Sequence, residues 1–221
     1  MLNTLWRFFY IVYIIAVTMI KNIIFDMGGV LINWNPNGAM AKMGLSDSDR
    51  ELVMNTVFRS YHWPLLDAGY YNEEQIMQIF RKQLPEHLHK VVESIVLDFG
   101  NESVEVIPGM PELVKKLKDN GYGLYLLTNA GPRQPEYWKN VEGHENFDGV
   151  FVSSFYGLYK PERTIFSRML SEYNLKPDEC VFVDDLALNC AGAFLSGIKP
   201  VLFKGKEELS AELEKLGVDC H

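Results

Sequence analysis

The chain has 221 residues, of which 48% are hydrophobic, and a formal net charge of -8 at pH 7. This length and apolar content can bury a core and form one domain, or a core domain with a smaller insertion, and they exclude a disordered or fibrous chain. Because no run of Lys and Arg is present to bind a phosphate backbone, the sequence argues against a nucleic-acid partner. A small substrate is the default expectation.

Three cysteines, Cys180, Cys190 and Cys220, form an odd set without a C-x-x-C pair. This pattern indicates neither a disulfide framework nor a zinc site. We therefore expect a reducing, cytoplasmic setting.

The first nineteen residues are predicted to be a hydrophobic extension outside the core. The segment from Leu5 to Ile20 is apolar apart from one arginine and one threonine. Its uncharged part, Phe8 to Ile20, is thirteen residues long, whereas a bilayer span needs roughly 20. A membrane anchor, a cleaved signal peptide and a translation start at Met19 are the three interpretations, and we prefer the start at Met19.

From Lys21 onward, the chain alternates between short apolar runs and stretches of helical spacing. The pattern predicts a first buried strand at 22–26, a helical insertion over 35–105, and a core made of 20–34 and 106–221. Strands alternating with helices of this length predict an α/β fold with a parallel sheet. The remaining predicted elements are the helix 111–120, the strand 122–127, the helix 163–173, the strand 180–183, the helix 189–196, the strand 200–203 and the helix 207–216.

Polar residues follow three of the predicted strands, at Asp26, at Thr128-Asn129 and at Asp184-Asp185. Active sites of parallel α/β sheets lie at the carboxyl ends of the strands, so we expect these residues to meet. Asp26 precedes Gly28 and Gly29, which leave room for the backbone to approach a bound phosphate, and Gly29 is a candidate for phosphate binding.

This combination favours phosphoryl transfer. Asp26 is the candidate nucleophile, because a carboxylate can form an aspartyl phosphate. With Asp184 and Asp185 it forms an oxygen-rich site suited to Mg²⁺. Lys160 offers a point charge for phosphate and the carboxylates, and Thr128 can donate a hydrogen bond to a phosphoryl oxygen, as can Asn129.

Each residue alone has a plainer interpretation. Asp26 fits an ordinary turn, Thr128-Asn129 fits a loop, Asp184-Asp185 fits the start of a helix, and Lys160 fits a solvated lysine. The joint order at successive strand ends is what favours a catalytic site.

That order resembles the haloacid dehalogenase-like superfamily over nearly all of residues 20–203. The resemblance implies a Rossmann-like core, an aspartyl-phosphate intermediate, and Mg²⁺ held by Asp26, the Gly28 carbonyl and Asp184, with help from Asp185. The helical insertion is similar to the small cap of phosphatases that close over small phosphorylated metabolites. The four motifs are Phe25-Asp26-Met27-Gly28-Gly29-Val30, Leu127-Thr128-Asn129, Lys160-Pro161, and Val183-Asp184-Asp185 followed by Asn189.

The chain departs from the phosphatase pattern at Gly28, where most members carry a second aspartate that serves as general acid and base. Its absence should matter most for poor leaving groups. We therefore predict an easier leaving group, such as a sugar 1-phosphate, or a proton supplied by the cap or by water. A glycine here is similar to the branch of bacterial glucose-1-phosphate phosphatases.

The cap contains an aromatic and polar patch made of Tyr61, His62, Trp63 and Asp67. His62 and Asp67 are the candidates for substrate contact and for a substitute acid. The alternative is that His62 and Trp63 pack the interior of the cap.

Two rival functions stay open. A 2-haloacid dehalogenase uses the same aspartate without metal, but Gly29-Val30 and the acid pair Asp184-Asp185 favour the phosphatase. A binding or regulatory protein that has lost turnover would retain the same fold.

Overall fold

The computed structural model describes residues 19–97 and 105–221. Within them the strands are β1 (Asn22–Phe25), β2 (Gly123–Thr128), β3 (Gly149–Val152), β4 (Cys180–Asp184) and β5 (Lys199–Leu202). They form one sheet in the order β3-β2-β1-β4-β5, and every pairing is parallel. This confirms the predicted α/β, Rossmann-like fold class.

The sheet is buried on both faces because its strands carry apolar residues on both. In β1, Ile23 and Phe25 pack into one hydrophobic cluster while Ile24, between them, packs into another, as the two-residue period of a strand requires. All three side chains are fully buried. A strand that is apolar on both faces is typical of a parallel sheet covered by helices on each side.

Ten α-helices lie in the described part of the chain, beside four 3-10 helices of three residues each. The α-helices are α1 (Pro36–Lys42), α2 (Asp47–Val53), α3 (His62–Asp67), α4 (Glu73–Gln83), α5 (His89–Leu97), α6 (Met110–Asp119), α7 (Gln134–Trp138), α8 (Arg163–Glu172), α9 (Ala187–Leu195) and α10 (Lys206–Lys215). A short π-helical stretch, Met54–Phe58, continues α2. Helices α6 and α10 cover one face of the sheet, and α8 and α9 cover the other.

The helices α1 to α5 pack around a hydrophobic cluster of their own, centred on buried residues such as Val57 and Phe80. The chain enters and leaves this insertion side by side. The Asn33 N–H donates to the Glu105 carbonyl at 2.7 Å, and the Ile107 N–H donates to the Leu31 carbonyl at 2.9 Å. The predicted boundaries of the insertion, 35 and 105, stay a prediction, because residues 98–104 lie outside the described part.

Local sequence explains where α4 begins. The side chain of Asn72 accepts a hydrogen bond from the Gln75 N–H, and the Gln75 side chain accepts one from the Asn72 N–H. This reciprocal pair satisfies two backbone donors at the helix start. It fixes the beginning of the helix directly after the loop that leaves α3.

The predicted core elements after residue 110 are present with boundaries shifted by one or two residues, but two elements were not predicted. These are the five-residue helix α7 and the four-residue strand β3. β3 lies at the edge of the sheet, and its first two residues are only half-buried. Its residues Val150, Phe151 and Val152 form an apolar run of the kind that marked the other strands, so this strand could have been predicted.

The predicted N-terminal extension lies outside the described residues except for Met19, which is exposed. Among the described residues, no helix has both the length and the apolar content needed to cross a bilayer. Cys180, Cys190 and Cys220 are buried thiols, and none forms a disulfide.

Candidate active site

The carboxyl ends of β1, β2 and β4 lie side by side. Phe25 of β1 is in register with Leu126 of β2 and with Val183 of β4. The Asp26 N–H donates to the Val183 carbonyl at 2.8 Å, which continues the strand pairing by one residue. Asp26 and Asp184 are therefore neighbours at the edge of the sheet where the sequence predicted an active site.

Lys160 lies between these two carboxylates. Its Nζ is 2.8 Å from Asp26 Oδ1 and 2.8 Å from Asp184 Oδ2, and it donates to the Leu127 carbonyl at 3.0 Å. The side chain is only 1% exposed. A solvated surface lysine, the plainer interpretation, does not fit this environment, because a buried ammonium group needs paired charges around it.

Asn129 holds Lys160 in place through its backbone. The Lys160 N–H donates to Asn129 Oδ1 at 2.8 Å, and Asn129 Nδ2 donates to the Lys160 carbonyl at 3.1 Å. Both polar ends of the amide thus serve to orient the lysine. The direct hydrogen bonds from Thr128 and Asn129 to a phosphoryl oxygen stay a prediction.

Asp184 is fully buried and is fixed by further donors from the loop that leads into α9. Its Oδ1 accepts the Leu186 N–H at 2.8 Å, and Asn189 Nδ2 lies 3.1 Å from both carboxylate oxygens. With the Lys160 contact, these hydrogen bonds hold the carboxylate in a single orientation. Asn189, the last residue of the fourth motif, therefore helps to orient the carboxylate of Asp184.

Burial and charge shift the acidity of this group of residues. Burial raises the pKa of Asp26 from 3.8 to about 7, the positive charge of Lys160 opposes the rise, and the charge of Asp184 adds to it. Burial alone would lower the pKa of Lys160, but the charges of Asp26 and Asp184 outweigh it and the pKa is raised. Lys160 is therefore a cation at neutral pH.

Asp26, Asp184 and Asp185 each offer a carboxylate oxygen, and these three oxygens lie within 4.8 Å of one another. Such a set fits Mg²⁺, which prefers oxygen ligands. Burial raises the pKa of Asp185, and the neighbouring charge of Asp184 adds to this. One ammonium group cannot neutralise three carboxylates, so the chemistry of the donors fits a divalent cation.

Gly29 lies against this acidic cluster. A Cβ at Gly29 would be 2.5 Å from Asp185 Oδ2, and the residue has a φ of +76°. Both the space and the left-handed backbone require glycine at this turn. The turn after β1 therefore lets Asp185 approach the loop that follows Asp26.

These residues form the floor of a cavity of about 610 Å³, a size typical of small-molecule sites. We define the floor as the core residues that line the cavity and the roof as the lining residues between 34 and 97. The floor contains all the core residues predicted for the site except Asp184, which lies directly behind it. They are Asp26, Gly28, Gly29, Thr128, Asn129, Lys160 and Asp185.

The two predicted cap residues have different environments. Asp67 lines the cavity and is buried, and its carboxyl group lies beside the backbone N–H of Gly131. His62 does not line the cavity, which differs from its predicted contact with substrate. Its ring lies 3.9 Å from that of Tyr61 and 6.2 Å from that of Phe80, because the first turn of α3 faces the interior of the insertion. Packing, the alternative interpretation, describes His62.

A family model of haloacid dehalogenase-like hydrolases matches residues 20–197. The chain belongs to this family. The matched range contains every site residue described above, from Asp26 to Asp185, and it confirms the resemblance on which the sequence analysis relied.

Several known proteins resemble this haloacid dehalogenase-like hydrolase over most of their length. The sesquiterpene phosphatase astK of Aspergillus oryzae is 28% identical over 186 residues, which cover 82% of this chain and 88% of that protein. The D-ribitol-5-phosphate phosphatase of Bacteroides thetaiotaomicron is 29% identical over 194 residues, covering 77% of this chain and 85% of that protein. A HAD family enzyme of the same bacterium, solved in complex with magnesium and inorganic phosphate, shares the fold with a TM-score of 0.65 at 22% identity, covering 87% of this chain and 98% of that one.

Many further residues line the cavity of this hydrolase without having been predicted from sequence, and three of them are polar side chains of the core that are at least partly buried. Tyr137 and Tyr159 have raised pKa values, mainly because of burial and then because of the charge of Asp67; that of Tyr159 is about 12. Gln134 is fully buried, and its Oε1 has no hydrogen-bond partner among the described residues. Only the sequence position after the second motif could have pointed to Tyr137 and Gln134.

Proposed function

We propose that the chain is a Mg²⁺-dependent phosphatase that hydrolyses a small phosphorylated metabolite through an aspartyl phosphate on Asp26. The chain is a phosphoric monoester hydrolase of its family, since the sesquiterpene phosphatase and the ribitol-5-phosphate phosphatase match it in sequence over most of their length. The observation that carries the mechanism is the contact of Lys160 with both Asp26 and Asp184 at the carboxyl edge of the sheet.

Asp26, Asp184 and Asp185 would hold Mg²⁺, and the resemblance to the family adds the Gly28 carbonyl. When bound there, Mg²⁺ would supply positive charge against a phosphoryl oxygen. Lys160 adds the second positive charge of the site, and its fixed position means that no side chain must reorganise as charge develops.

In the first step, a carboxylate oxygen of Asp26 attacks phosphorus. The P–O bond to Asp26 forms as the P–O bond to the alcohol breaks, and the alcohol oxygen takes up a proton. A water molecule then attacks phosphorus and gives a proton to the carboxylate that had protonated the alcohol, the bond to Asp26 breaks, and inorganic phosphate leaves. Asp26 Oδ1 is already engaged by the Met27 N–H at 2.7 Å and by Lys160, so Oδ2 is the oxygen assigned to the attack.

Asp67 is our candidate for the proton donor. It would serve instead of the aspartate that most family members carry at the position of Gly28. Burial raises its pKa well above 3.8, and the nearby Gly131 N–H opposes this rise. A carboxyl group with a raised pKa holds its proton to higher pH, which suits general acid catalysis. Since α3 ends at Asp67 and this residue lines the cavity, the insertion supplies the group that the first motif lacks.

The sequence favours a sugar 1-phosphate as substrate, because such an ester needs less help from a general acid. This stays a prediction, as does the cytoplasmic setting. The relatives are named for a sesquiterpene, an apolar terpenoid, and for the polyol ribitol, so the family resemblance is compatible with more than one kind of leaving group.

The test is the release of phosphate from a generic aryl phosphate, with Mg²⁺ and with chelator, by the natural protein and by Asp26→Asn. We expect Mg²⁺-dependent release that is lost in Asp26→Asn and kept in the control Glu212→Gln, which changes an exposed residue of α10. Equal release by the natural protein and Asp26→Asn would contradict the nucleophile. Release of halide from a 2-haloacid without Mg²⁺ would favour the dehalogenase, and no turnover of any ester would favour the binding protein.

A further inference from the structure

The roof of the cavity differs in character from its floor. Eight of its residues are apolar or aromatic and come from four separate segments of the insertion and its entry. They include Trp34, Phe58, Trp63, Pro64, Ile95 and Val96. The catalytic groups on the floor face this surface, so a bound ester would have its phosphate on the polar side and its alcohol on the apolar side.

The aromatic part of the roof is one continuous cluster. The ring of Phe58 lies 4.8 Å from that of Trp63 and 6.2 Å from that of Trp34. Trp34 is 42% exposed although it lines the cavity. A cluster of large apolar rings that stays accessible to solvent is typical of a surface that binds an apolar ligand.

Polar groups are few on the described part of the roof, and its two carboxyl groups face neighbours of the core. Glu73 lies 3.5 Å from Nε of Arg133, and Asp67 lies beside the backbone N–H of Gly131. A sugar placed under this roof would lose its hydrogen bonds to water without equivalent replacements, which is unfavourable for each hydroxyl group. A hydrocarbon would lose no such bonds and would remove the exposed rings from water.

We propose that the enzyme selects phosphate monoesters whose alcohol is a bulky apolar hydrocarbon, and that the roof of the cavity is the binding site for that hydrocarbon. The inference rests on the phosphatase function proposed above and names its substrate class. The phosphate lies on the floor beside Asp26, and the hydrocarbon of the substrate extends beneath Trp34, Phe58 and Trp63. The cavity of about 610 Å³ has the volume for a ligand of this kind.

The test is a homologous series of primary n-alkyl phosphates from butyl to decyl, below the concentration of micelle formation, with acetyl phosphate and glucose 1-phosphate as small and polar comparisons. We expect kcat/KM to rise by about fourfold for each methylene group enclosed, the free energy of burying one CH₂, until the roof is covered. Octyl phosphate should then exceed glucose 1-phosphate in kcat/KM.

Variants locate the effect in the roof. Trp34→Ala should flatten the dependence of kcat/KM on chain length, because it removes exposed apolar surface from the cavity. The matched control is Tyr70→Ala, which removes a 68% exposed ring of the insertion outside the cavity and should keep the slope of the natural protein. Circular dichroism and a thermal melt check that both variants are folded. If a variant is not folded, the alkyl phosphate series on the natural protein still tests the proposal.

The outcomes separate the two proposals. Hydrolysis of acetyl phosphate together with a flat or falling alkyl series, or with a preference for glucose 1-phosphate, overturns the apolar substrate class and leaves the phosphatase intact. Failure to release phosphate from every ester, acetyl phosphate included, overturns both.

Discussion

The ammonium nitrogen of Lys160 lies 2.8 Å from Oδ1 of Asp26 and at the same distance from Oδ2 of Asp184, and these three side chains are almost completely shielded from solvent. The lysine therefore has two functions that can be separated. It neutralises buried charge in the folded protein, and in the proposed reaction it stabilises charge on the phosphoryl group.

Lys160→Met should destabilise the fold by about 3–5 kcal/mol, because it leaves two buried carboxylates without their cation. The double variant Lys160→Met/Asp184→Asn should recover part of this loss, since it removes one of the two charges. Lys21→Met is the control, because Lys21 pairs with Glu179 while 58% exposed and should cost no more than about 1 kcal/mol. Urea unfolding measures all three, and an equal cost for Lys160→Met and Lys21→Met would show that the buried pair does not stabilise the fold.

Gly29→Ala should weaken Mg²⁺ binding as well as the fold. The added Cβ would meet the Asp185 carboxylate at 2.5 Å and would have to adopt a φ of +76°. Gly157→Ala is the matched control, because Gly157 has a φ of +65° with open space around it and carries only the backbone strain of about 1–2 kcal/mol. We expect the Mg²⁺ concentration for half-maximal activity to rise in Gly29→Ala and to stay unchanged in Gly157→Ala. An unchanged Mg²⁺ requirement in Gly29→Ala would argue against Asp185 as a ligand.

Asp67→Asn should slow the hydrolysis of alkyl phosphates by about 100-fold or more, the usual contribution of a general acid. Aryl and acyl phosphates should lose less than about tenfold, because their leaving groups depart without a proton. Glu74→Gln, an exposed change at the start of α4, is the control and should leave both rates unaltered. If Asp67→Asn slows both classes of ester equally, Asp67 acts by positioning the insertion and not by donating a proton.

The same residue predicts a pH dependence of stability. The pKa of Asp67 is raised in the folded protein above its usual 3.8, so the folded state binds the proton more tightly than the unfolded state does. Its contribution to stability is therefore complete below the unfolded pKa and is lost as the pH rises towards the folded pKa, by at most about 1.4 kcal/mol per pH unit. Asp67→Asn lacks this loss. Relative to the natural protein, the free energy of unfolding of this variant should therefore increase as the pH rises above 3.8. A pH-independent difference would contradict the raised pKa.

Strand ends could be predicted from the sequence because their signals are local. Asp26 follows a short run of apolar, mainly β-branched residues and precedes two glycines, and Asp184 ends a similar apolar run. In a parallel sheet all such ends meet at one edge, so the order of the motifs already implied the grouping. The contact between Lys160 and both carboxylates could be expected for the same reason. The burial of the Lys160 side chain, however, could not be deduced from Tyr159-Lys160-Pro161.

The residues that the insertion contributes to the cavity could not be predicted from the sequence, because they depend on how its helices are oriented relative to the core. His62 and Asp67 both belong to α3, yet His62 faces Phe80 inside the insertion and Asp67 faces Gly131 of the core. Sequence spacing alone does not say which face of a six-residue helix meets the core. Tyr137 and Tyr159 were missed for a related reason, since their positions depend on the unpredicted α7 and on the loop before α8.

The central claim is that phosphate is transferred to Asp26. The most direct measurement is a rapid acid quench of the natural protein during turnover of an aryl phosphate, followed by mass spectrometry of the peptide that contains Asp26. The account predicts a phosphoryl group on Asp26 that appears within the first turnover, decays as phosphate is released, and is absent in Asp26→Asn. Full turnover without a phosphorylated Asp26, or a phosphoryl group on another side chain, would contradict it.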